Sequence, residues 1–137
     1  MGKYINFVTL DDVETQAHPW GNLQWMSEPL VTGTANMTTG HVDIEPGKGH
    51  GRHNHEGCEE ILYILEGKAR QTLDLPGGTV EKEIGAGTLV FIPAGAYHST
   101  INIGDGNVKL LAIYQFAGPE AALRADPDCK IIPAKNA

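Results

Sequence analysis

Glycine and proline punctuate short runs of β-prone residues along this chain, and very little of it follows a helical period. Residues 4–10 (Tyr-Ile-Asn-Phe-Val-Thr-Leu) predict a first strand, followed by an acidic turn at Asp11 and Asp12. Residues 18–25 read as an irregular aromatic segment whose two tryptophans, Trp20 and Trp25, are assigned to packing. Residues 34–45 predict a strand that ends at Pro46 and Gly47. The runs 60–66 and 68–75 come next, and Pro76-Gly77-Gly78 marks a hairpin turn into 79–84. Residues 89–92 form a strand stopped by Pro93, and Gly104 to Asn107 give a further hairpin signal before the apolar run 108–116. Residues 119–125 alone look helical, with Pro119 at an N-terminal position, and Pro127 and Pro133 interrupt the remaining residues. Short strands with turn signals about every 8–12 residues predict an all-β sandwich or barrel. With no repeat or linker in view, residues 1–137 are expected to form one domain.

Strand alternation sorts these runs into faces. Thr38, Gly40, Val42 and Ile44 share one face, with His41 and Asp43 on the other. Glu60, Leu62 and Ile64 share a face, as do Ala69, Gln71 and Leu73, and Val108, Leu110, Ala112, Tyr114 and Phe116. In 60–65 and 108–116 both faces are apolar. A small barrel buries one face of each sheet, so the second face needs a cover from the N-terminal 30 residues, a partner subunit, or both.

Composition narrows the partners. A net charge of −7 and a pI near 5.2 disfavour nucleic acid and anionic membrane surfaces. No run approaches the roughly 20 apolar residues of a membrane helix. The N-terminus lacks the pattern of a signal peptide, so the cytoplasm is the expected compartment. Cys58 and Cys129 are too few and too far apart for a disulfide framework or a paired-cysteine metal site.

The chemistry concentrates in two stretches. His53 and His55 are spaced so that an extended segment puts both imidazoles on one face, Glu60 stands beyond a short turn, and His98 arrives from a distant strand. Nitrogen and carboxylate donors of this kind suit one divalent transition metal, among Mn, Fe, Co, Ni, Cu and Zn, and argue against calcium or magnesium.

These stretches resemble both signature motifs of the cupin superfamily. The first reads G-x5-H-x-H-x4-E-x6-G from Gly47 through His53, His55 and Glu60 to Gly67, and the second reads G-x5-P-x-G-x2-H-x3-N from Gly87 through Pro93, Gly95 and His98 to Asn102. The resemblance covers about residues 36–116. It implies a double-stranded β-helix, the cupin jelly-roll barrel, here with an N-terminal strand extension and a short C-terminal helix. It also implies metal ligands at His53, His55, Glu60 and His98, and a homodimer formed through sheet faces. Glu59 competes for the carboxylate role, and the distance to Gly67 favours Glu60.

Three imidazoles and a carboxylate leave about two positions open on a six-coordinate ion, the mark of a catalytic or substrate-binding metal. A small oxygen-rich substrate is expected. His50, three residues before His53, is the candidate general acid or base. Gln71 and Tyr114, polar residues on otherwise apolar faces, are the candidate substrate contacts. The favoured activity is that of an isomerase, epimerase or lyase acting on a sugar or keto acid through a metal-bound enediolate. An Fe(II)-dependent dioxygenase or a decarboxylase, and a metal-gated binding protein without turnover, are the alternatives. The last is disfavoured because no DNA-binding segment of the kind sensory cupins carry is attached.

Overall fold

The strands pair into two antiparallel sheets in the computed structural model, which describes residues 3–136. In chain order they are β1 (Thr15–His18), β2 (Gly21–Ser27), β3 (Met37–Ile44), β4 (Gly49–His53), β5 (Glu60–Glu66), β6 (Lys68–Leu75), β7 (Gly78–Gly85), β8 (Leu89–Ile92), β9 (His98–Asn102), β10 (Val108–Gln115) and β11 (Lys130–Ile132). One short helix, α1 (Pro119–Arg124), precedes β11. Among the described residues the larger sheet runs β11-β1-β2-β3-β10-β5-β8 and the smaller β4-β9-β6-β7. This is a jelly-roll β-barrel with an N-terminal extension and a C-terminal helix.

Alternation sets the core. Thr38, Gly40, Val42 and Ile44 are all buried. Each lies opposite an inward residue of β10: Ile44 by Val108, Val42 by Leu110, Gly40 by Ala112 and Thr38 by Tyr114. On the other side of β10, Leu110 pairs with Ile64, Ala112 with Leu62 and Tyr114 with Glu60. The inward row is therefore apolar along most of its length and turns polar at one end, where Thr38, Tyr114 and Glu60 stand abreast. From the smaller sheet, His53 and His98 are paired with one another at the ends of β4 and β9. That polar end carries the chemistry.

Two glycines permit the close approaches this needs. A side chain on Gly49 would run into the Thr100 carbonyl and Ile101 of the neighbouring strand. Gly67 has φ +92°, a conformation that L side chains rarely adopt, and lets the chain cross from β5 in one sheet to β6 in the other.

Several expectations are corrected. Residues 4–10 form no strand; a 3-10 turn spans Leu10–Asp12, and Phe7 is 94% exposed. The Asp12 carboxylate accepts from the Thr9 backbone and hydroxyl at 2.8 and 3.0 Å, bending the chain where a strand would continue. The strand extension lies instead in residues 15–27, so the supposedly irregular aromatic segment is largely a hairpin with Pro19 and Trp20 at its turn. The Gly104–Asn107 turn is no hairpin, because β9 and β10 lie in different sheets. Phe116 does not continue the inner face; with φ 67° it turns out of the strand and is 46% exposed. Strand β11, which pairs with β1, was not anticipated.

The N-terminal strands extend the edge of the larger sheet and do not cover its outer face. Met37, Tyr63, Leu65, Leu89 and Phe91 are exposed there. No helix among the described residues is long and apolar enough to cross a membrane.

Candidate metal centre

Five segments converge at the polar end of the barrel. His53 ends β4, His55 lies in the loop after it, Glu60 opens β5, His98 opens β9 and Tyr114 is near the end of β10. The ligand atoms of His53, His55 and His98 lie within 4.8 Å of one another. Glu60 Oε1 stands 3.2 Å from His98 Nε2 and 3.7 Å from His55 Nε2. Glu60 is buried and directed into this group, whereas Glu59 is exposed.

The rings are held from behind. His53 Nδ1 bonds to the Gly51 carbonyl at 2.6 Å and His98 Nδ1 to the Ala96 carbonyl at 2.9 Å, so each presents Nε2 to the centre. His55 Nε2, His98 Nε2 and Glu60 Oε1 are buried and lack a directed hydrogen-bond partner. Buried polar atoms without partners are costly and uncommon. Three of them facing one another suit a divalent cation, and imidazole nitrogen with carboxylate oxygen is donor chemistry for a transition metal.

Burial governs the protonation of these groups. It pushes the His53 pKa down to about 4 and also lowers that of His55. His98 is equally subject to burial, but its contact with Glu60 outweighs it and the pKa rises. Burial raises the Tyr114 pKa, and the Glu60 carboxylate beside it raises it further, so the phenol is neutral. The Tyr114 ring meets His55 edge-on at 5.1 Å.

His50 lines the same cavity as His53, Glu60 and His98. Its ring stacks on His53 at 3.6 Å and beneath the Trp20 indole at 4.3 Å, nearly parallel to the latter. Burial, with the neighbouring histidines, pushes its pKa down to about 3, so the ring is neutral at ordinary pH.

Gln71 is buried on β6, but its amide is already engaged. Its Oε1 accepts from the Thr100 hydroxyl at 2.5 Å, and its Nε2 donates to the Thr72 carbonyl at 3.1 Å. It lines a separate groove toward Val80 and Phe91, and Thr100 is the member of this pair that borders the metal cavity. Cys58 turns away as well, its thiol donating to the Gln115 carbonyl at 2.8 Å.

Trp20 and Leu123 are among the lining residues missed from the sequence. Neither lies in a motif with a ligand spacing. Trp20 sits in a turn, and Leu123 lies on a helix whose docking position the local pattern does not encode.

Comparison with known proteins places this arrangement. The family model described as "Cupin domain" matches residues 40–114, more than half of the chain and all of the convergent residues above. The chain belongs to the cupin family. This cupin is 26% identical over 116 residues to "Polyketide synthase CurC" of Streptomyces cyaneus, covering 85% of the chain and 73% of that protein. It is 30% identical over 99 residues to "Glucose-6-phosphate isomerase" of Thermococcus kodakarensis, covering 69% of the chain but only 47% of that enzyme. Among solved structures, oxalate decarboxylase of Bacillus subtilis, described for its Mn(II) centres, superposes with a TM-score of 0.72 at 20% identity, covering 83% of the chain and 30% of that one. This last likeness is one of fold.

Proposed function

We propose that this cupin is a metal-dependent enzyme acting on a small oxygen-rich compound, a sugar or keto acid, by isomerase, epimerase or lyase chemistry. The observation that carries the reading is the set of buried, unpartnered atoms of His55, Glu60 and His98, facing one another beside His53 at the end of a cavity. A structural polar cluster would satisfy itself; this one is arranged to share an ion. His53, His55, Glu60 and His98 would hold it, and a divalent ion there supplies Lewis acidity toward a carbonyl or carboxylate oxygen.

The surrounding residues have separable tasks. Tyr114, neutral and adjacent to Glu60, orients that carboxylate and is the nearest phenol to a bound substrate. His50 enters as a neutral imidazole at the cavity wall and is placed to move a proton there as general acid or base. Gln71 acts through Thr100 and fixes that hydroxyl at the cavity wall. Leu62, Leu110 and Ala112 keep the remaining wall apolar and exclude water.

A relative named as a glucose-6-phosphate isomerase supports the isomerase class. A second reading, decarboxylation of a small acid, is favoured by the tightness of the cavity, about 30 Å³ where one water needs about 10–15 Å³. The test is a panel of sugars, keto acids and dicarboxylates on metal-loaded protein, with and without oxygen. Oxygen-independent turnover, falling about 10²–10⁴-fold in His50→Ala with metal content unchanged, is the expected result. Turnover that requires oxygen would move the protein to the dioxygenase class.

The exposed apolar face of β5 and β8 supports a homodimer. Tyr63, Leu65, Leu89 and Phe91 make a contiguous surface of a kind that soluble monomers seldom leave open.

A further inference from the structure

The residues that would hold the metal lie within the barrel at 40–114, but their cavity is also lined by residues outside it. Trp20 comes from the β1–β2 turn and Leu123 from α1, and both line the cavity with His53, Glu60 and His98. Trp20 lies flat on His50, which lies flat on His53, and His18 stacks on the indole at 5.1 Å, so Trp20 is one leaf of a stack that begins at a metal ligand. Leu123 packs against the core from the helix.

These two side chains are fastened. Arg124, next to Leu123, bonds to Glu28 Oε2 at 2.5 Å and to Glu14 Oε2 at 3.0 Å, tying α1 to both ends of the β1–β2 hairpin. Glu120 accepts from the Gly118 and Ala121 backbone at 2.7 and 3.1 Å, and its carbonyl takes the Gln16 side-chain amide at 3.3 Å. The hairpin and the helix thus form one braced piece, and its inner surface is a wall.

We propose that Trp20 and Leu123 set the size limit for what reaches the metal, favouring unbranched, open-chain compounds, keto acids and open-chain sugars among them, over those that bear a branch or ring. The proposal rests on the reading of an accessible metal with open positions. The cavity of about 30 Å³ leaves room for few heavy atoms, and Trp20 and Leu123 supply bulky apolar side chains to its wall. Removing the Leu123 side chain beyond Cβ enlarges the cavity where the helix lines it.

Malonate and phenylmalonate test this, because they present the same two carboxylates and differ only by a ring. Each is titrated into the cobalt(II)-loaded protein and tracked by the visible bands of the ion. The expected result is that malonate shifts the bands while phenylmalonate binds at least about tenfold more weakly. In Leu123→Ala the two come within about threefold of each other, with malonate itself little changed. Trp20→Ala is the second variant and is expected to relax the same ratio, should Leu123→Ala fail to load cobalt. Equal binding of both acids by the unmodified protein overturns the size limit, as does a ratio unchanged in both variants. A malonate response absent from the unmodified protein but present in Leu123→Ala supports it. Full cobalt loading with no malonate response in any of the three proteins overturns the open-coordination reading, and the size limit falls with it.

Discussion

The barrel and the segments that flank it bury polar groups in opposite ways. In the flanks most of the groups satisfy one another: Gln16 Oε1 takes the Trp25 indole at 3.2 Å and His18 Nε2 at 3.3 Å, Arg124 meets Glu28, and Glu120 accepts from the Gly118 and Ala121 backbone, leaving only His18 Nδ1 open among the described residues. At the metal end of the barrel they do not. Of the four buried side-chain atoms without a partner among the described residues, three belong to His55, Glu60 and His98, and His18 Nδ1 is the fourth. A closed network marks a brace, and converging groups left open mark a place for something else. The same residue types serve both ends; what differs is whether their hydrogen-bonding capacity is used up.

The comparison breaks most readily at the open end. His98→Ala or His53→Ala is expected to take metal content from about one ion per chain to near none, while circular dichroism still reports a folded β protein. The imidazoles contribute donors there and the apolar row from Ile44 to Leu62 contributes the core. Collapse of the fold in both variants would instead make the histidines part of the packing.

At the closed end the expected loss is one of stability. Arg124→Ala leaves Glu28 buried beside Glu14 without its cation, at a cost of about 2 kcal/mol, less than for a fully buried pair because Arg124 is partly exposed. Burial already raises the Glu28 pKa above its ordinary 4.5. The folded state therefore binds that proton more tightly than the unfolded chain does, and this group lowers stability as pH climbs from 4.5 through the raised value. Loss of Arg124 widens that window. Denaturant melts should show the deficit in full near about pH 7 and a smaller one below about pH 4. A deficit independent of pH would show that Glu28 is not its source.

Smaller effects sharpen the picture. Phe91→Lys on the outer face is expected to convert a sedimenting dimer to monomer at tens of micromolar while leaving metal content alone. A monomeric parent protein would refute the interface. Glu59→Gln is expected to change metal affinity least of all, within about twofold, because its exposed carboxylate is outside the cluster.

Much of the barrel was legible in the sequence because its information is local. Alternation placed Thr38, Val42 and Ile44 on one face and grouped Glu60 with Leu62 and Tyr114 with Leu110, and the pairing of β5 with β10 sets Glu60 and Tyr114 abreast. The histidine spacings worked because strands fix where side chains point. What escaped was set by contacts distant in sequence. Residues 4–10 have strand composition, but β11 takes the free edge of β1 and Asp12 bends the chain. Gln71 has the inward period yet spends its amide on Thr100, a strand away. Trp20 and Leu123 reach the cavity only through a brace of side chains about a hundred residues apart, and no local pattern records that.

The most direct test of the account is a crystal of metal-loaded protein measured with anomalous scattering at the absorption edge of the ion. A single peak is expected between His53 Nε2, His55 Nε2, His98 Nε2 and the Glu60 carboxylate, with bonds of about 2.0–2.3 Å. A peak held by Glu59 in place of Glu60, or a fully loaded crystal with no peak among these four residues, would contradict it.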